Sequence, residues 1–251
     1  LVLTVVAVIA SIAVLQGIFA LVGIQSSDKS VQVLQLVGVV IAGIGAARAF
    51  DFRPRRNADF SWVLATRFLV MMGVYIVELY LQYYMRDVAK VNPATGTSEF
   101  LILLTVTATL STAFGGWASD RVGRKRMVYI AGAFMAVVGA AFVLAPYLVP
   151  GHVFALALVA GAIFGLGFGA YVSVDWALVA DVLPSEETFA RDMGVWNICL
   201  TIPQVLAVVF GAWLLTTFGF GNLGYSTLFI SFVVFCVLGT IAVRNIKGVT
   251  R

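Results

Sequence analysis

The sequence predicts an all-α membrane protein with eight transmembrane helices, and three observations lead there. The chain of 251 residues is 61% hydrophobic and only 11% charged, against roughly 25% charged residues in soluble domains, and its mean hydropathy is +1.03. Its apolar residues run in long blocks, each near the ~20 residues a helix needs to cross the hydrocarbon core. Its basic residues alternate between the loops. Arg48, Arg53, Arg55, Arg56, Arg67, Arg121, Arg124, Lys125, Arg126, Arg191, Arg244, Lys247 and Arg251 fall on one side, and only Lys29, Arg86 and Lys90 on the other. Lipid offers no partner to open backbone groups, which leaves helices or closed barrels. The short alternating strands of a barrel are absent from the pattern.

The blocks can be taken in order. The first, 1–24, opens without a Met or a basic lead-in, so it does not read as a signal peptide and suggests a chain whose beginning is missing. The second, 31–47, carries Gly38, Ala42 and Gly45 on one face. The stretch 50–60, F-D-F-R-P-R-R-N-A-D-F, is the longest basic, Pro-containing connection and the best boundary between two bundles. The third block, 62–85, holds Glu78, with Arg67 eleven residues earlier and Tyr75 and Gln82 on the same stripe. The fourth, 100–118, has Thr105, Thr109 and Thr112 on one face, and the fifth is 127–149. The sixth, 153–182, carries Gly161, Gly165 and Gly169, then Tyr171 and Asp175. Such glycines serve close helix packing or a smooth sliding surface. The seventh, 193–218, places Asn197, Thr201 and Gln204 on one face beside a kink expected at Pro203, and the eighth is 223–243.

An ionisable group inside a membrane helix is costly and usually faces a cavity or a partner. Glu78 and Asp175 are therefore the candidates for proton or cation coupling. Asp175 could instead gate the inner side by pairing with a loop arginine, or form a helix-end pair with Arg191. Arg67 reads as a residue snorkelling to the nearby surface, and Asp181 as interfacial. Tyr75, Gln82, Thr109, Tyr171, Asn197 and Gln204 are candidate solute contacts, because amides and hydroxyls offer both donors and acceptors. Trp176, Trp196 and Trp213 could stack on a sugar, though interfacial anchoring is the commoner use. Cys199 and Cys236 lie mid-block and read as buried apolar residues, His152 as a loop residue. No metal site and no cofactor is implied. The basic excess reads as topology rather than a nucleic-acid patch, and it puts the basic side in the cytoplasm.

Residues 116–126 read G-W-A-S-D-R-V-G-R-K-R. This resembles the cytoplasmic signature loop of the major facilitator superfamily at all its fixed positions. The resemblance makes Gly116, Asp120, Arg121, Gly123, Arg124, Lys125 and Arg126 a conformational gate. Gly116 would allow close packing, Gly123 a tight turn, and Asp120 would receive a helix N-terminus or an arginine. A second stretch, D-W-A-L-V-A-D-V-L-P from Asp175 followed by R-D-M-G from Arg191, is similar to the sugar:cation symporter-like members near the glycoside–pentoside–hexuronide group. The superfamily has twelve helices in two bundles, and the loop occurs after the second helix of a bundle. The chain then covers helices 5–12. Residues 1–49 are the last two helices of the N-terminal bundle, 50–60 the cytoplasmic linker and 61–251 the C-terminal six-helix bundle, with the missing N-terminal helices as a partner.

The resemblance implies a multi-pass protein of the plasma or inner membrane that moves a small polar solute, a sugar or glycoside first, by alternating access coupled to protons or another cation. Proton-driven drug or metabolite efflux is the alternative. No G-x-x-x-x-G-K-S/T loop occurs, which argues against ATP as motor. From another class, an integral membrane enzyme would need clustered Asp, His or Cys at the membrane face, and a transport-dead sensor would keep the same fold. The expectation is transport, not catalysis.

Overall fold

The computed structural model describes residues 57–183 and 188–248. Six long helices fill them: α1 (Ala58–Asp87), α2 (Pro93–Val122), α3 (Arg124–Leu148), α4 (Val153–Val182), α5 (Phe189–Phe218) and α6 (Asn222–Ala242). All six are long and apolar enough to cross a membrane. They correspond to the third through eighth apolar blocks. The first two blocks, and most of the 50–60 connection, lie outside the described residues.

The helices overrun their apolar blocks wherever polar residues continue the turn. α1 takes in Ala58–Phe60 from the stretch read as connection, and α2 starts at Pro93. There Pro93 occupies the first turn, and the Asn92 side chain accepts from the backbone N–H of Ala94 at 3.1 Å and Thr95 at 3.2 Å, closing the open helix end. Gly123 separates α2 from α3 at φ +101°, which a side chain would rarely tolerate. α5 runs through Pro203 without ending. A 30-residue helix is about 45 Å long, against a hydrocarbon core of about 30 Å, so these helices project at their ends.

The packing has an internal symmetry. α2 lies parallel to α4: Phe100 meets Gly161, Leu104 meets Gly165 and Ala108 meets Gly169. α1 lies parallel to α5: Arg67 meets Trp196 and Tyr80 reaches Val208. α1 packs antiparallel to α6, and α3 to α4 and α6. Exchanging the first three helices with the last three maps these pairs onto one another, as in an inverted repeat. One pair breaks the rule. α1 approaches α2, but no Cα of α4 comes within 8 Å of α5.

Glycine faces carry much of this packing. A Cβ on Gly165 would lie 2.3 Å from the Leu104 carbonyl oxygen, and one on Gly169 would lie 2.2 Å from that of Ala108. Ser111 Oγ donates to the Leu166 carbonyl at 2.6 Å and Thr112 Oγ1 to the Gly169 carbonyl at 3.2 Å. The glycine row of α4 is thus pinned to α2 by cross-helix hydrogen bonds, not left as a smooth sliding surface. Toward the other end, Tyr84, Phe142, Tyr225 and Phe229 form an aromatic knot between α1, α3 and α6.

Candidate functional site

The polar groups of α1 and α5 divide into an exposed row and a buried cluster. Glu78 and Gln82 stand exposed one turn apart on α1, and Asn197, Thr201 and Gln204 stand exposed on α5. Tyr75, nearly buried, meets Gln204 across the seam and lies between Glu78 and Arg67. The parallel register of the two helices sets these residues side by side. Glu78 makes no ion pair among the described residues. Asn197 donates its amide to the Met193 carbonyl at 3.0 Å, which leaves its side-chain oxygen available.

The threonine stripe of α2 is also exposed, but it back-bonds its own helix. Thr109 donates to the Thr105 carbonyl at 2.8 Å, and Thr112 shares its one proton between the Ala108 carbonyl at 2.8 Å and the Gly169 carbonyl of α4. Thr109 sits on a different helix from the α1–α5 row, and its hydroxyl proton is already used.

The buried cluster lies deeper. Arg67 of α1 forms an ion pair with Asp175 of α4, and both side chains are almost fully enclosed. Tyr171 donates to the other carboxylate oxygen at 3.3 Å. The Arg67 guanidinium lies 3.5 Å over the ring of Trp196 on α5. Trp196 in turn packs edge-on against Trp176 at 4.3 Å. Asp175 thus pairs with neither a signature-loop arginine nor Arg191. Arg191 bonds its neighbour Asp192 at 3.3 Å, and Arg124 pairs with Asp181 at 3.0 Å. Arg67 does not snorkel. α1 starts at Ala58, so Arg67 stands nine residues in, about 14 Å from the helix start. Trp196 is fully buried rather than interfacial, whereas Trp176 and Trp213 are exposed.

At the basic end, residues 116–126, read as a loop, are the last turns of α2 and the first of α3 joined at Gly123, and they hold several parts together. Besides the Arg124–Asp181 pair, Lys125 donates to the Ile246 carbonyl, and Arg121 stacks on Trp117 at 4.0 Å. The Asp59 carboxylate accepts from the backbone N–H groups of Lys247 and Gly248, each at 2.7 Å. Arg126 and Asp120 are exposed, and among the described residues Asp120 receives neither a helix N-terminus nor an arginine. Close packing belongs to Gly115, where a Cβ would lie 3.1 Å from Ala170 Cα. Nothing lies within 4 Å of a Cβ on Gly116.

A model of the family described as Major Facilitator Superfamily matches residues 63–247, well over half of the chain. The chain belongs to the major facilitator superfamily. No curated protein and no solved structure matches it. As a superfamily member it is a multi-pass membrane protein with a transporter fold, and its six described helices are the apolar spans that fold requires. Among these residues no group of three His, Cys, Asp or Glu side chains could hold a metal ion.

Arg67 read as a snorkelling residue and Trp196 as an interfacial anchor or a sugar-stacking ring, and their joint place beside Asp175 was not legible from sequence. One signal for Arg67 was present: Asn57-Ala58-Asp59 can begin a helix, which puts the arginine too deep to reach the surface. Nothing in the sequence distinguishes Trp196 from Trp176, because the difference lies in which face of α5 meets α1.

Proposed function

We propose that this major facilitator protein is a secondary active transporter that takes a small polar solute, a sugar or glycoside first, by alternating access driven by protons or another cation. The observation that carries the reading is the exposed row of Glu78, Gln82, Asn197 and Gln204 on the α1–α5 face. A carboxylate and three amides cannot face hydrocarbon without a large penalty, so this face lines a water-filled path. With Tyr75 they offer a mix of donors and acceptors that suits polyol hydroxyls.

In this reading, residues 61–251 form the C-terminal bundle of a twelve-helix transporter. Residues 1–49 belong to the other bundle, 50–60 link the two, and the basic end faces the cytoplasm in the plasma or inner membrane. Glu78 carries the coupling proton from the exposed face, and Asp175 is the second coupling residue. The loop 116–126 steadies the inner end through its ties to Asp181 and Ile246.

One observation favours a second reading. Glu78 is the only charged member of the exposed row, which suits a cationic solute and thus drug or metabolite efflux. The test is uptake into proteoliposomes with an imposed proton gradient, comparing labelled sugars with a cationic dye. Gradient-dependent sugar accumulation, lost in Glu78→Gln while labelled solute still exchanges, is the expected result. Gradient-driven movement of the dye alone establishes efflux, and accumulation that survives Glu78→Gln removes that residue from coupling. An enzyme built on this fold would turn over a lipid without moving solute.

A further inference from the structure

We propose that Arg67, Asp175 and Trp196 form a proton-released clasp that holds the basic end of α5 onto α4, with Arg67 and Trp196 as positioning residues for Asp175. The clasp rests on the coupling role given above to Asp175 and says how its charge is felt elsewhere.

The argument starts from the broken symmetry of the bundle. No Cα of α4 lies within 8 Å of α5, so the contacts seen between the two helices are made by side chains. The bridges are the Trp176–Trp196 ring contact and the chain Asp175–Arg67–Trp196. The second bridge is conditional on charge. Arg67 is drawn between α4 and α5 because a carboxylate lies on one side and an aromatic face on the other.

The proton step is simple. A proton adds to the Asp175 carboxylate to give the neutral acid, only the O–H bond forms, and Arg67 keeps its own proton. A guanidinium then remains buried without a counter-charge, which proteins tolerate poorly. Among the described residues no second carboxylate acts on Asp175, and the buried Asp192, one turn from Trp196 on α5, is held by Thr188 and Arg191. The ionisable groups facing the pair are Tyr75 of α1, Tyr171 of α4, Cys199 of α5 and, beyond Tyr171, Cys236 of α6. These hold their protons and are uncharged at neutral pH. None from α2 or α3 acts on Asp175, and Glu78 lies about 16 Å along the helix from Arg67.

The released Arg67 must therefore be hydrated, with water entering between α4 and α5, where no backbone contact closes the seam. Two donors already await an acceptor there. Arg67 Nε and Trp196 Nε1 are both buried without a hydrogen-bond partner among the described residues. Entry of water satisfies them together, and α5 is no longer held to α4 through the cation.

The indole of Trp196 reports this directly, because its emission follows the charge and water beside the ring. The experiment uses the full-length protein with Trp62, Trp117, Trp176 and Trp213 replaced by Phe. Emission is followed as pH falls, with no solute present. The expected result is a single red-shifting transition, kept in Arg67→Lys and absent from the double variant Arg67→Gln/Asp175→Asn. The double variant removes both charges, so no buried charge is left alone and the protein folds. In proteoliposomes its gradient-driven accumulation falls to simple equilibration.

Emission that does not change with pH in the folded parent, or a transition that persists in the double variant, overturns the clasp. Wild-type accumulation by the double variant does so too, because it would make the pair merely structural. Failure of the transporter reading looks different: the wild type moves none of the tested solutes while the Trp196 transition remains.

Discussion

The two parallel helix pairs of the bundle occupy equivalent places and are joined in opposite ways. α2 and α4 meet backbone to backbone. Gly165 and Gly169 admit carbonyl groups that any side chain would displace, and Ser111 and Thr112 bond across the seam. α1 and α5 meet through large side chains: Arg67 on Trp196, Tyr75 on Gln204, and Tyr80 over Gly211 with its hydroxyl on the Val208 carbonyl at 2.6 Å. Backbone contacts have one arrangement, whereas long side chains have rotamers to change into. The exposed polar row lies on the α1–α5 seam, and the ion pair to Asp175 of α4 reaches that seam through Arg67 on Trp196. The bundle thus has a fixed seam and an adjustable one, with the chemistry on the second.

The largest effect should come from unbalancing the adjustable seam. Asp175→Asn leaves Arg67 buried and unpaired, which should cost about 3–5 kcal/mol of stability. Denaturation of the purified protein in detergent measures it. Adding Arg67→Gln should recover most of the loss, because an uncharged pair needs no compensation. If the double variant is as unstable as the single one, the pair is not a self-contained unit and the contrast between the seams weakens.

Gly169→Ala comes next. Its Cβ would meet the Ala108 backbone, so the helices must separate, at a cost of about 1–3 kcal/mol. Gly211→Ala is its counterpart on the other seam. There the Cβ meets the Tyr80 ring at 2.2 Å, and the ring can turn away. That gives up the Val208 hydrogen bond, worth about 0.6 kcal/mol between membrane helices. Thermal unfolding of the two variants side by side decides the matter. Equal losses would show that the α1–α5 seam is as rigid as the α2–α4 one.

The same division explains what was legible beforehand. Long apolar blocks and alternating basic loops marked α1 to α6, because the bilayer imposes length and sidedness on any sequence that crosses it. The row Glu78, Gln82, Asn197 and Gln204 was visible for the same reason, since polar residues within apolar blocks stand out. Partners were not visible. Asp175 read as the partner of a signature-loop arginine or of Arg191, and its pairing with Arg67 instead depends on α1 packing beside α4. Counting Arg67 among the surface basic residues was an error of depth, since the helix starts earlier than its apolar block. The signature glycine Gly116 was expected to pack closely, yet its neighbour Gly115 faces α4, and one residue of helix rotates a side chain by about 100°.

Single hydrogen bonds across the fixed seam should matter less. Ser111→Ala removes the donor to the Leu166 carbonyl but leaves the glycine packing intact, so a loss of about 0.6 kcal/mol is expected in the same unfolding assay. A loss several times larger would mean that hydrogen bonds rather than close approach hold α2 to α4.

An effect of similarly small size is expected at Trp196→Phe. The substitution keeps an aromatic face under the Arg67 guanidinium, and the N–H it removes has no partner among the described residues. The remaining loss is the weaker attraction of a cation to benzene than to indole and the volume of the missing ring, together under about 1 kcal/mol. Trp196→Leu, which removes the aromatic face, should cost more, about 2 kcal/mol for a desolvated pair. The gap between the two variants therefore isolates the cation–ring contact from mere filling of space. If Phe and Leu cost the same, Trp196 acts only as bulk, and α5 is held to Arg67 by packing instead of by its charge.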